Sequence, residues 1–139
     1  MPPTNAATER QEIGEAHVIE TLKERINADD ALVRRGRYLT TTFLLEIGDT
    51  AWLIAISEGR VASVTRGPFV MPSWSFALRA PAGEWEKFFL NKPPPGSNDL
   101  MALVRRRVLK TEGDLQIFMA HLRYFKEALA KLRGVGVAA

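Results

Sequence analysis

Few side chains in this sequence are suited to chemistry, and their spacing narrows the choices further. There are two histidines and no cysteine, so thiolate nucleophiles, thiolate metal sites and disulfides are excluded. A serine nucleophile normally sits on a G-x-S-x-G elbow with a histidine base, and that pattern is absent. His17 stands in "HVIE", which lacks the H-E-x-x-H spacing that aims two imidazoles at one metal, and reads as a surface residue. His121 lies beside an apolar stripe, where a hydrogen-bonded, partly buried imidazole is the ordinary outcome. The carboxylates of "DD" and "EWE" fall where helix starts place acids, and the glycines form neither a P-loop nor G-x-G-x-x-G. No catalytic residue, metal site or cofactor is expected.

Two basic clusters remain: Arg34, Arg35 and Arg37, and then Arg105, Arg106, Arg107 and Lys110. A nucleic-acid surface would need exposed aromatic rings interleaved with the cations, or a helix with one basic face. Tyr38 is the only aromatic neighbour, so nucleic acid is not expected as a partner. A guanidinium pair holding a phosphate or carboxylate suits these clusters better. Charge is also divided along the chain. Residues 1–30 carry 7 acidic and 3 basic side chains, and residues 31–139 carry 9 and 16. The acids Glu9, Glu12, Glu15, Glu20 and Glu24 read as the solvated face of a first helix.

The elements that must position these residues follow from the hydrophobic pattern. With 139 residues, 46% of them hydrophobic, the chain suits a single domain with one core. The expected bounds are a flexible start over 1–7, the domain over 8–133 and a flexible tail over 134–139. Thr8 and Gln11 form a plausible capping box for a helix whose apolar stripe is Ile13, Ala16, Ile19, Leu22 and Ile26. The segment "ALVRRGRYL" is too short to predict as structured, with Gly36 as a turn or cap. From Thr41 the period becomes two: Phe43, Leu45 and Ile47 share a face, Gly48-Asp49 turns, and Trp52, Ile54 and Ile56 repeat the alternation. Glu58-Gly59 turns into an edge strand in which Arg60, Ala62 and Val64 face one way and Val61, Ser63 and Thr65 the other.

Further on, "SWSFALRA" predicts a fourth strand with Trp74, Phe76 and Leu78 on one face, and Pro81 opens a small helix that carries Trp85, Phe88 and Phe89 inward. "NKPPPGSN" is a loop. Ser97 is placed to cap a helix through Leu100, Met101, Leu103 and Val104 that ends in Arg105–Arg107, and Val108–Glu112 forms a fifth strand. Gly113 turns and Asp114 caps a long last helix with Leu115, Phe118, Met119, Leu122, Phe125, Leu129 and Leu132 along one side. Runs of strands with helices grouped between and after them predict an α+β fold. No stretch approaches the roughly 18 uninterrupted apolar residues of a membrane span, and cytoplasmic residence is expected.

In order and spacing, "FLLEIGDTAWLIAISEGRVASVTRG", "WSFALRAPAGEWEKFF" and "VLKTEGDLQIFMAHLRYFKEAL" resemble the sterol carrier protein type-two domain family, over roughly Tyr38 to Lys131. The resemblance implies a five-stranded, mostly antiparallel sheet with helices on one face. It also implies a tunnel for a sterol, fatty acid, acyl-CoA or phospholipid, and binding or transfer without catalysis. Gly113 and Asp114 match the family's turn before the last helix, and Leu115, Phe118, Met119 and Leu122 match the face that lines the tunnel. With them, Trp52, Trp74, Phe76, Trp85, Phe88, Phe89 and Met101 are candidate lining residues, although a plain core would use the same types. Arg105, Arg106 and Arg107 are candidates for an anionic head group. Between Leu90 and Arg107 the chain departs from the family, so the opening and the ligand can differ. The expected partners are a lipid-like molecule, a transiently touched membrane, and a second copy or an enzyme. An accessory subunit with a filled cavity is the alternative, and an enzyme using His121 as base is a third reading.

Overall fold

The computed structural model describes residues 18–134. The capping box at Thr8 and Gln11, the stripe residues Ile13 and Ala16, His17, and the acids Glu9, Glu12 and Glu15 lie outside the described residues, as do residues 135–139 of the tail.

The alternating stretch at Thr41 becomes β1 (Thr41–Ile47), β2 (Thr50–Ser57) and β3 (Arg60–Arg66), followed by β4 (Phe76–Ala80) and β5 (Lys110–Gly113). They form a five-stranded sheet in the order β3-β2-β1-β4-β5. β1 and β4 run parallel, and the other three pairings are antiparallel. Phe43, Leu45 and Ile47 of β1, Trp52, Ile54 and Ile56 of β2, and Phe76, Leu78 and Ala80 of β4 all join one buried core. That is the period-two outcome of a sheet whose one face packs against the helices.

The edge strand departs from simple alternation. Ile56 pairs with Val61 but Ala55 pairs with Ser63, so Ala62 is a bulge residue. The extra residue turns the strand over, and Val61 and Val64, opposite Ile56 and Ile54, therefore share the core side. The expectation that Val64 faces with Arg60 and Ala62 is corrected accordingly. The Asn27 amide lies against the same edge, with Oδ1 accepting from the Val61 N–H at 2.8 Å and Nδ2 donating to the Val61 carbonyl at 3.0 Å. This side-chain pairing occupies backbone groups that would otherwise be open to another strand.

The helices are short. α1 (Leu22–Asn27) buries Leu22 and Ile26, continuing the predicted stripe. α2 (Asp30–Arg35) occupies the segment expected to be unstructured. It is held by the Asp29 carboxylate, which accepts from the Leu32 N–H at 3.0 Å, and by burial of Leu32 and Val33. α3 (Ala82–Phe88) buries Trp85 and Phe88. α4 (Leu100–Arg105) begins at Asp99 rather than at a Ser97 cap, and Ser97 is buried in the preceding loop. The expected long last helix is two, α5 (Leu115–Ala120) and α6 (Leu122–Ala130), separated at His121, whose φ of −117° and ψ of 28° leave the helical range.

Trp74 stands outside β4, and alternation does not carry it to the core face. The Arg79 guanidinium lies 5.8 Å from its ring. Arg79 falls between the core residues Leu78 and Ala80, on the sheet face that turns away from the helices. There it pairs with Glu46 of β1 and, at 3.4 Å, with Glu112 of β5, forming a bridge across three adjacent strands.

Candidate functional site

The site begins with the aromatic residues that sheet and helices press together. Phe43 and Phe76, register partners on β1 and β4, stack with centroids 5.2 Å apart. Phe125 of α6 meets both edge-on, at 5.4 and 5.1 Å, and Phe118 of α5 reaches Phe76 at 5.5 Å. A second group is formed by Trp85, Phe88 and Phe89, with Trp85 and Phe89 stacked at 5.7 Å. The Trp85 indole donates to the Glu46 carbonyl at 2.9 Å, which ties α3 to β1. Offset and edge-on pairs of this kind are the favoured geometries of aromatic quadrupoles.

The structure thus brings together Trp52, Phe76, Trp85, Phe88 and Phe118 in one core, with Phe89 and Leu122 half-buried at its margin. Met101 is half-buried on α4, outside this core cluster, and Trp74 lies toward the opposite face. Leu115 and Met119 point outward, 39% and 50% exposed. α5 is therefore a short segment whose one fully buried side chain is Phe118. Few buried contacts make a segment the first to open.

Arg106 is held by its surroundings. Its guanidinium pairs with Glu84 at 2.7 Å and donates to the Gly96 carbonyl at 2.9 Å and to Ser97 Oγ at 3.1 Å, fixing the proline-rich loop to α3. Arg105 and Arg107 are exposed and make no ion pair among the described residues. Of the other cluster, Arg35 pairs with Glu127, and Arg37 lies over the exposed Tyr38 ring at 4.7 Å.

A clasp that sequence patterning did not show lies beneath α6. The Tyr124 hydroxyl donates to the Gly59 carbonyl at 2.6 Å, and burial pushes the phenol up to about 12 from an ordinary 10.0. Glu58 and Gly59 have φ of 50° and 83°, the pair of left-handed residues that a type I′ turn requires. A Cβ on Gly36 would meet the Tyr124 ring at 2.6 Å and Gly59 Cα at 2.9 Å, so only hydrogens fit between these turns. The hydrogen bond to Lys131 is the main influence that holds the Asp29 carboxyl below the usual range, followed by the Leu32 N–H. Burial pulls the Arg133 guanidinium down, opposed by the nearby Asp99 charge.

His121 is half-buried at the break between α5 and α6, where its N–H donates to Ile117 and its carbonyl accepts from Phe125. Among the described residues no three His, Cys, Asp or Glu side chains stand together so as to hold a metal ion. Nor is any helix among them long and apolar enough to cross a membrane.

No family model and no curated protein matches the chain. Solved structures do. A crystal structure of sterol carrier protein 2 superposes with a TM-score of 0.70 at 12% identity, over 85% of this chain and 95% of that one. The chain has the sterol carrier protein 2 fold. A possible sterol carrier protein from Thermus thermophilus gives a TM-score of 0.63 at 10% identity, over 84% of this chain and 86% of that one. The UbiJ-SCP2 ubiquinone synthesis protein gives 0.55 at 20% identity, over 95% of both chains. The five-stranded mixed sheet with its helices matches the sterol carrier protein 2 fold. At these identities the likeness fixes the path of the chain and leaves its side chains to be read directly.

Proposed function

We propose that this protein binds an amphipathic, lipid-like molecule between the inner face of the sheet and α5–α6 and carries it without chemical change. The observation that supports this most is the construction of α5. It forms part of the wall of an aromatic core, exposes Leu115 and Met119, and is held by one fully buried side chain, Phe118, with half-buried Ile117 beside it. Displacing α5 gives an apolar chain access to Phe43, Phe76 and Phe125 without separating any β-strands. The likeness to sterol carrier protein 2 and to the UbiJ-SCP2 ubiquinone synthesis protein supports the same class of ligand, a long apolar body with a small polar end. Met119 suits such a role because a flexible thioether adapts to variable surfaces.

Exchange with a bilayer is the second half of the proposal. The connection from β3 to β4 carries Val70 and Met71 at 95% and 93% exposure, within a run from Gly67 to Leu78 that contains no charged residue. It offers apolar tips to a membrane surface at little desolvation cost. The cysteine-free sequence is consistent with a cytoplasmic setting.

The experiment is transfer of a fluorescent fatty acid from donor to acceptor vesicles, with the protein as the only variable. Transfer that rises in proportion to protein, together with saturable uptake of the probe, is the expected result. Absence of saturable uptake would overturn the proposal and favour the accessory-subunit reading, in which the core is filled by its own side chains.

A further inference from the structure

Among the described residues, the inner face of the sheet contains one polar group without a partner. Trp52 is 1% exposed, and its indole N–H has no hydrogen-bond acceptor among the described residues. Two other buried polar atoms lack hydrogen bonds, Arg79 Nε and Asp99 Oδ1, but both stand in ion pairs, with Glu112 at 3.4 Å and Lys126 at 3.0 Å. Trp52 has no such compensation. Buried donors are almost always paired, and leaving one unpaired costs most of its desolvation. Trp85 shows the usual arrangement in the same core, its indole N–H donating to Glu46.

Directly across the strand pair, Arg66 is the register partner of Trp52. Its guanidinium lies 5.9 Å from the Trp52 ring, it is exposed, and it makes no ion pair among the described residues. A ring with a buried donor and a cation without an ion pair among the described residues thus lie 5.9 Å apart at the end of β3, one beneath the surface and one at it. Arg106, by contrast, is occupied by Glu84, Gly96 and Ser97.

We infer that Trp52 and Arg66 form the head-group site of the bound molecule, and that its polar end is a carboxylate or another small anion. One oxygen accepts the indole N–H while the charge is met by Arg66. The apolar body then runs along the inner face past Leu45 toward Phe43 and Phe118. This rests on the carrier reading and adds to it the residues that read the polar end of the ligand. A charge-assisted bond to guanidinium separates an acid from its ester, and the indole bond separates both from a hydrocarbon.

The test uses the full chain and three probes of one length, palmitate, methyl palmitate and hexadecane, each displacing a bound fluorescent reporter. The wild type is expected to prefer palmitate over the ester by about tenfold and the ester over the hydrocarbon by several-fold. Arg66→Gln should abolish the preference for acid over ester. Trp52→Phe, which keeps a ring and removes the donor, should weaken both oxygenated ligands and leave hexadecane unchanged. Should the phenylalanine variant not fold, exposed Arg66 carries the test alone. An unchanged order of the three ligands in the variants would overturn this inference and leave the carrier reading intact. Failure of the wild type to bind any of the three would overturn both.

Discussion

Replacing Tyr124 by phenylalanine separates two contributions of one buried hydroxyl. The hydroxyl donates to the Gly59 carbonyl at 2.6 Å, under a ring that is 1% exposed. Losing the donor leaves a buried carbonyl unpaired, which costs about 1–2 kcal/mol at neutral pH. The ionisation adds a pH signature. The folded phenol titrates at about 12 and the unfolded one at 10.0, so the folded state favours the protonated form. Its contribution is fully present below pH 10.0 and is lost as pH rises through about 12. A shift of this size amounts to roughly 3 kcal/mol when complete, and roughly 2 kcal/mol of it is gone by about pH 11.5. Urea denaturation of wild type and Tyr124→Phe at about pH 7 and about pH 11.5 reads the difference, every other group being common to both. The wild type should be the more stable at neutral pH, and the gap should close or reverse at the alkaline point. A gap independent of pH would refute the buried clasp.

Three other perturbations read different parts of the structure. Phe118→Ala removes the one fully buried side chain of α5 and should cost about 3–5 kcal/mol by thermal or urea unfolding while accelerating amide exchange over 115–120; a cost under about 1 kcal/mol would show that α5 is not held this way. Arg79→Met removes the shared partner of Glu46 and Glu112 on the outer sheet face and should lower stability by about 1 kcal/mol at neutral pH, with an unchanged urea midpoint as the contrary result. Val70→Ser combined with Met71→Ser should lower vesicle-dependent transfer by about tenfold without altering ligand affinity in solution, since both side chains are exposed in the free protein. Equal transfer rates would remove the loop from the membrane step.

The sequence was most legible where one face of a strand is buried. Phe43, Leu45 and Ile47, then Trp52, Ile54 and Ile56, declare β1 and β2 by alternation alone, and Asp114 declares the start of α5. What was hidden depends on contacts between distant residues. The bulge at Ala62 changes which valines face inward, and nothing in "RVASVT" marks it. Trp74 keeps the parity of Phe76 but leaves the strand before its face is fixed, and it packs toward Arg79 instead. The apolar spacing from Leu115 to Leu132 is continuous across His121, so the division of the last helix has no signature in the pattern. For the site, type and order located the aromatic residues, but only register places Arg66 beside Trp52, fourteen positions earlier in the chain. Three consecutive arginines are conspicuous in sequence, and one of them proves to be a brace for a loop.

The central claim is that an amphipathic molecule occupies the space between sheet and helices. Native mass spectrometry of the purified full chain, followed by organic extraction, tests it most directly. A stoichiometric added mass that extracts as an acidic lipid is the predicted result. A chain at its bare mass that gains none on incubation with palmitate would contradict the account.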